Sequence, residues 1–429
     1  MVKPAPPGPR SCRAFLRAMI TAMRTVLLAL GLVSTIIGQQ AVPRPWTVAP
    51  RALASPTGAD SAQPQMTVSN RGVLLSWIER SEGRASLRFA ERTADGWTSA
   101  RTVASGTDWF VNWADVPSVV RLDDRTLAAH WLQKSGPGTY AYDVRLSYST
   151  DDGKTWSPSV VPHSDGTSTE HGFASLFPMP GTGGGLGLVW LDGRAVEAMK
   201  GGHGGHDSGD MSLRFGAFDR QWAQKAEAAI DTRVCECCPT TAAMTADGPI
   251  VAYRNRGDDE TRDIFVTRLE NGTWSEPVAA HQDGWRINAC PVNGPMLSAQ
   301  GRTVVLAWFT SHNDEPHAFA AFSSDAGRTF RAPIRLDDAV SSGRVDVDLL
   351  ADGSAVAMYI EHADRKPRVS IRRLEPSGAR SQPVTVATIE DGRTSGYPRM
   401  ARYRDEMVFA WTEREGTPRV KTAVATVDR

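Results

Sequence analysis

The chain has 429 residues, and its 48 basic and 48 acidic side chains leave no net charge. That balance excludes a general electrostatic attraction to nucleic acid or to an anionic membrane surface. Hydrophobic residues at 41% suffice for a large core, and 13 Trp with 38 Gly point to many short strands and tight turns instead of helices.

The first segment reads as an export signal. Arg13, Arg17 and Arg24 precede an apolar run from Val26 to Ile37 that is too short to span a bilayer comfortably. A signal beginning at Met19 or Met23 would have a conventional length. Residues 1–41 are therefore taken as the export segment and residues 42–429 as one folded body, periplasmic or secreted, with no stable membrane span in the mature protein. The alternative is an uncleaved N-terminal anchor, because the sequence after Gln39-Gln40-Ala41 makes a weak cleavage site.

One unit then repeats to the end of the chain. An apolar run closes on an aromatic at Trp77, Trp131, Trp190, Tyr253, Trp308, Tyr359 and Trp411. The separations are 54, 59, 63, 55, 51 and 52 residues, room for about four short strands and their loops. A later strand in most units opens on an aromatic, as at Trp97, Trp156, Trp222, Trp274 and Phe330. The seventh unit supplies only three strands, and its fourth stands at the other end of the chain, in WTVAPRALA from Trp46. The pattern predicts an all-β fold, a single β-propeller of seven four-stranded repeats closed by an N-terminal strand, with no free edges. A monomer is expected.

Two turns carry a more specific signal. Residues 149–156, STDDGKTW, and residues 323–330, SSDAGRTF, match S-x-D-x-G-x-T-W/F, with degenerate copies at Asp95-Gly96-Trp97 and Asn271-Gly272-Thr273-Trp274. In such a turn Asp accepts hydrogen bonds from nearby backbone, Gly takes the left-handed conformation, and the aromatic plugs between strands. The chain resembles the sialidase-like Asp-box (BNR repeat) β-propellers over nearly its whole mature length. Sialidases have six blades, which makes a six-bladed ring the alternative. The resemblance implies a glycan or related small-molecule ligand bound on the face opposite the Asp-boxes. For a sialidase it also implies three arginines for the substrate carboxylate, a Tyr–Glu nucleophile pair and an Asp acid/base. On the positions that match, Tyr397 would attack, Glu170 would activate it and Asp115 would shuttle the proton. Arg286, Arg344 and Arg399 would hold the carboxylate, and Trp109 and Trp113 would stack on a sugar ring. The Phe/Tyr-Arg-Ile-Pro motif of the first blade is missing, its place taken by SAQPQM, so exo-sialidase-type hydrolysis stands beside ligand binding without turnover.

One segment has no place in that pattern. Cys235, Cys237 and Cys238 open the fourth unit and Cys290 the fifth, both on fourth-to-first connections that converge on one face. His203 and His206 lie on the second-to-third connection of the third unit, on the same face, and His171 opens that unit. Thiolate and imidazole together suit copper or zinc. An even number of cysteines in an exported body equally suits a disulfide from Cys290 to one of the other three. The competing functions are a soft-metal propeller and a non-catalytic interaction scaffold.

Overall fold

A computed structural model describes residues 46–179, 185–196, 210–364 and 366–427. The expected export segment, His203 and His206 lie outside the described residues. Among the described residues no helix is long and apolar enough to cross a membrane.

The strands assemble into seven blades around one axis, as the repeat predicts. Each blade is an antiparallel sheet whose strands follow one another outward in chain order. The innermost strands, in order, are Ser61–Ser69, Ser118–Arg121, His171–Met179, Thr241–Thr245, Met296–Gln300, Val340–Leu349 and Arg399–Tyr403. In the second blade the outermost strand is reduced to a bridge between Leu146 and Val160. The seventh blade consists of Arg399–Tyr403, Glu406–Glu413 and Arg419–Thr426. Its fourth place is filled by Arg51–Leu53, paired antiparallel with Arg51 opposite Val424 and Leu53 opposite Thr422. The ring therefore closes with chain from both ends, and the bond from Thr57 Oγ1 to the Val420 carbonyl (3.0 Å) reinforces the join.

The repeating aromatics explain why the blades form. All seven lie on the second strand of a blade, where alternate residues face the adjoining blade. Trp77, Trp131, Trp190, Tyr253, Trp308 and Tyr359 are buried, while Trp411 is half-buried. The core is accordingly a series of inter-blade layers: Trp77 packs with Val408 and Ala410 of the seventh blade, and Tyr359 with Ala318 and Phe322 of the fifth. One such aromatic buries on the order of 150–250 Å², an upper contribution of roughly 4–6 kcal/mol before ordering costs.

The two S-x-D-x-G-x-T turns fold alike. Ser149 Oγ donates to Asp151 (2.8 Å) and accepts from Gly153 N–H (2.8 Å), while Asp151 also accepts from the Thr155 backbone (2.9 Å) and hydroxyl (2.7 Å). Ser323, Asp325, Gly327 and Thr329 repeat the set. Gly153 and Gly327 hold φ of 75° and 79°, which a side chain rarely adopts. Both turns follow the third strand of their blade, at the end of the ring opposite the fourth-to-first connections.

The inner strands line an axial channel of about 450 Å³, with Asp115, Asp346, Asp348, Arg399 and Arg402 among its polar lining.

Candidate functional site

Titratable side chains collect at the blade seams in three separate groups, two of which contain residues that sequence reasoning placed on one face.

The first group is built where the second and third blades meet. Asp115 precedes the inner strand of the second blade, Tyr142 begins its third strand, and Glu170 immediately precedes the inner strand of the third. A parallel bridge joins the backbones of Tyr142 and Glu170, and Gly193 N–H donates to the Glu170 carbonyl (2.8 Å). The Tyr142 hydroxyl lies 2.6 Å from Glu170 Oε1 and 3.2 Å from Asp115 Oδ2, and Asp115 Oδ1 accepts from Phe173 N–H (2.8 Å). A phenol has one proton to give, so both contacts are hydrogen bonds only when one carboxyl is protonated. Electrostatics agree. Burial pushes Asp115 up to about 7. Burial, with the charges of Asp115, Cys290 and Glu236, pushes Glu170 up to about 8. Tyr142 is driven well above a free phenol, by burial first and then by the two carboxylates. Asp115 and Tyr142 are sealed, whereas Glu170 is half-buried and is the member that faces outward. Sealing depends on Gly172, where an added Cβ would stand 2.1 Å from Asp115 Oδ2.

Tyr397 is not part of this group. Its hydroxyl donates to the Val292 carbonyl (2.6 Å), and its ring stacks on Trp113 at 5.9 Å. Glu170 and Asp115 are thus brought together as the sequence suggests, but around Tyr142. The arginines do not share a pocket. Arg286 is exposed and paired with Asp259. Arg344 lies over Trp113 and spends its guanidinium on Ser395 Oγ and on the carbonyls of Gly392 and Gly396 (all 3.0 Å). Arg399 is buried at the channel wall over Tyr397, 3.4 Å from Met296 Sδ, with its Nε unpartnered. Trp109 stacks on Trp131 at 5.4 Å and Trp113 sits between Arg344 and Tyr397, so each already has a ring or cation as neighbour.

The second group holds the cysteines. Arg254 ties their two connections together, its carbonyl accepting from Cys235 N–H (3.0 Å) and its guanidinium donating to the carbonyls of Asn293 (2.9 Å), Arg262 (2.5 Å) and Phe309 (2.6 Å). The Cys235 and Cys238 sulfurs lie 2.6 Å apart and those of Cys235 and Cys237 3.8 Å apart, all within 4.8 Å. Cys290 is exposed on the adjoining connection, where the neighbouring Cys237 brings its thiol below the ordinary value. Burial pushes the Cys235 thiol up, but hydrogen bonds from Cys237 and Cys238 and the Arg262 guanidinium outweigh it and bring the thiol well below its ordinary value. His171 is not among these thiols.

The third group is one that sequence reasoning missed. His171 stacks on His163 (ring centroids 3.8 Å apart) beside Asp143, Asp165 and Asp192. Its signal was faint: Tyr142-Asp143 and Glu170-His171 are adjacent pairs facing each other across a blade seam, but His163 stands in an ordinary polar loop.

No family model matches the sequence, and no curated protein matches it. Solved structures do match in shape. The polysaccharide lyase Uly1 superimposes with a TM-score of 0.52 at 11% identity, over 88% of this chain and 92% of its own. An α-L-arabinofuranosidase of Fusarium graminearum in complex with arabinobiose gives 0.49 at 13%, over 75% and 95%. A NanB sialidase mutant from Streptococcus pneumoniae gives 0.46 at 8%, over 88% and 94%. At these identities the first likeness establishes the fold alone, and the other two carry no argument.

Proposed function

We propose that the protein is an exported, sialidase-like propeller that binds a glycan at the channel mouth and processes it by acid–base chemistry on Glu170. The observation that carries this reading is the Tyr142 hydroxyl held between two carboxyls, of which Glu170 faces outward and keeps a proton near neutral pH. A protonated Glu170 gives its proton to a glycosidic oxygen as the C–O bond breaks; the carboxylate so formed then takes a proton from the water that adds to the anomeric carbon. Tyr142 and Asp115 position the carboxyl and set its basicity from behind. Within this reading Tyr142, whose hydroxyl meets a carboxylate, takes the place expected for Tyr397, whose hydroxyl meets a backbone carbonyl. A carboxylate-bearing sugar has less support than a neutral one, because Arg286, Arg344 and Arg399 are each engaged apart from the others.

A second reading is supported by the converging sulfurs of Cys235, Cys237 and Cys238, with Cys290 beside them: a soft-metal site for copper or zinc on the same face. Disulfide use of the same thiols has equal support from the short Cys235–Cys238 approach.

The glycan reading is tested with Glu170→Gln, which keeps the size and the hydrogen bond from Tyr142. Turnover of a hydrolysed glycan is expected to fall by about 10²–10⁴-fold while binding and the melting temperature persist. Wild-type turnover in that variant, or a glycan array on which the protein binds nothing, overturns it.

A further inference from the structure

We infer that Asp143, His163 and His171 form a divalent transition-metal site, of the zinc class, in the seam between the second and third blades. Three atoms carry the inference: Asp143 Oδ1, His163 Nε2 and His171 Nδ1. They lie within 4.8 Å of one another, are buried, and have no hydrogen-bond partner. His163 Nε2 stands 3.7 Å and His171 Nδ1 3.5 Å from Asp143 Oδ1, too far or too poorly aimed for hydrogen bonds. Both imidazole side chains are almost wholly buried, at 4% and 0% exposure, where an unsatisfied ring nitrogen is costly.

The surroundings orient these atoms inward. Asp165 Oδ2 is hydrogen-bonded to His163 Nδ1 (2.9 Å) and stands 3.2 Å from His171 Nε2 without hydrogen-bond alignment, so His163 is the ring it orients. An outer carboxylate hydrogen-bonded in this way fixes the tautomer of a metal-ligating imidazole, here His163, and raises its basicity. Asp165 is itself held by Thr167 through both the backbone (2.9 Å) and the hydroxyl (2.5 Å). Charge points the same way. Arg194 pairs with Asp192 (2.7 Å), Glu227 (3.0 Å) and Asp165 (3.4 Å), which leaves Asp143 as the carboxylate given to the two imidazoles. That commitment also disqualifies the neighbouring triple of Asp165, His171 and Asp192, whose carboxylates Arg194 neutralises.

Two imidazoles and a carboxylate are the donor set of zinc and related divalent ions, which accept nitrogen and oxygen without thiolate. Asp143 is the least enclosed ligand, with 19% of its side chain exposed, and leaves an approach from solvent. The site adjoins the first group through the chain itself, since Asp143 follows Tyr142 and His171 follows Glu170. A bound ion would clamp the two segments that hold the Tyr142–Glu170 contact. The inference stands whether or not Glu170 handles a glycan.

The test is titration of chelator-stripped full-length mature protein with Zn(II) and Co(II), alongside elemental analysis of protein purified without chelator. A single equivalent per chain is expected, with a higher melting temperature and a cobalt spectrum lacking thiolate charge-transfer bands. Asp143→Asn and His163→Gln are expected to lose that equivalent, Asp165→Asn to weaken it by about 10–100-fold, and replacement of the four cysteines by serine to leave it unchanged. Absence of tight metal in the wild type, or thiolate bands as the only cobalt signal, overturns the inference. Both readings come from wild-type protein and hold even where a ligand variant fails to fold.

Discussion

Asp115→Asn should make the protein more stable at alkaline pH, although it removes a charged residue from a hydrogen-bonded site. In the folded state Asp115 has a pKa of about 7 against an ordinary 3.8, because burial disfavours its charged form. A carboxyl raised by folding binds its proton more tightly in the native state. Its contribution to stability is therefore greatest below the unfolded pKa and is lost as pH rises towards the folded one. Proton linkage at about 1.4 kcal/mol per pH unit makes the penalty roughly 1.5–2 kcal/mol at pH 5 and roughly 4 kcal/mol at pH 8. The asparagine carries no such term. Its oxygen can still accept from Phe173 N–H, and its amide can donate towards Tyr142, so the hydrogen-bond losses are small and nearly independent of pH. Urea unfolding of both proteins at pH 5 and pH 8 isolates the effect. The stability difference should move in favour of the variant by roughly 2–3 kcal/mol between the two values. A difference that does not change with pH would refute the claim that this carboxyl is forced to hold a proton.

Two further changes probe the frame around the site. Gly172→Ala would drive a methyl to 2.1 Å from Asp115 Oδ2 and 2.8 Å from the Tyr142 ring. A loss of about 1–3 kcal/mol in denaturant unfolding is expected, and unchanged stability would mean the seam has room to give. Removal of residues 46–54 strips Arg51–Leu53 from the seventh blade and takes Val48 out of the core. A lower melting temperature and self-association by light scattering should follow from the bared edge of Arg419–Thr426. A truncated chain that melts like the intact one would show that the ring does not need the strand.

The fold was legible because the repeat is dictated by packing. Each second strand needs one large ring against the adjoining blade, so Trp or Tyr recurs at nearly fixed intervals, and a missing fourth strand at one end is matched by a spare one at the other. The site was legible only in part. Asp115 and Glu170 stand at blade entries, which the repeat locates. Tyr142 sits in YDVRLSYS and reads as one more alternating strand residue; only the seam with the third blade turns it towards two carboxyls. Tyr397 stands at the expected kind of position, but the fourth-to-first connection of the fifth blade brings the Val292 carbonyl to its hydroxyl. The arginines fail to converge for a similar reason, since local partners such as Asp259 and the Gly396 carbonyl are nearer than any shared pocket. Spacing along one chain locates the blades, and the contacts between blades decide which side chains meet.

Closure of the seventh blade also sets an order of events. The partners Leu53 and Thr422 are separated by 369 residues, nearly the whole folded body. Such a contact is among the most entropically distant of the described residues, so it forms after the blades between have already shortened the effective loop. During synthesis the N-terminal strand emerges first and has no partner until the final strand is made. Once that strand is made and before the ring shuts, the protein carries two complementary edges, and two chains at high local concentration can close each other's rings as readily as their own. The seam that completes the ring is for this reason also where a domain-swapped dimer would begin.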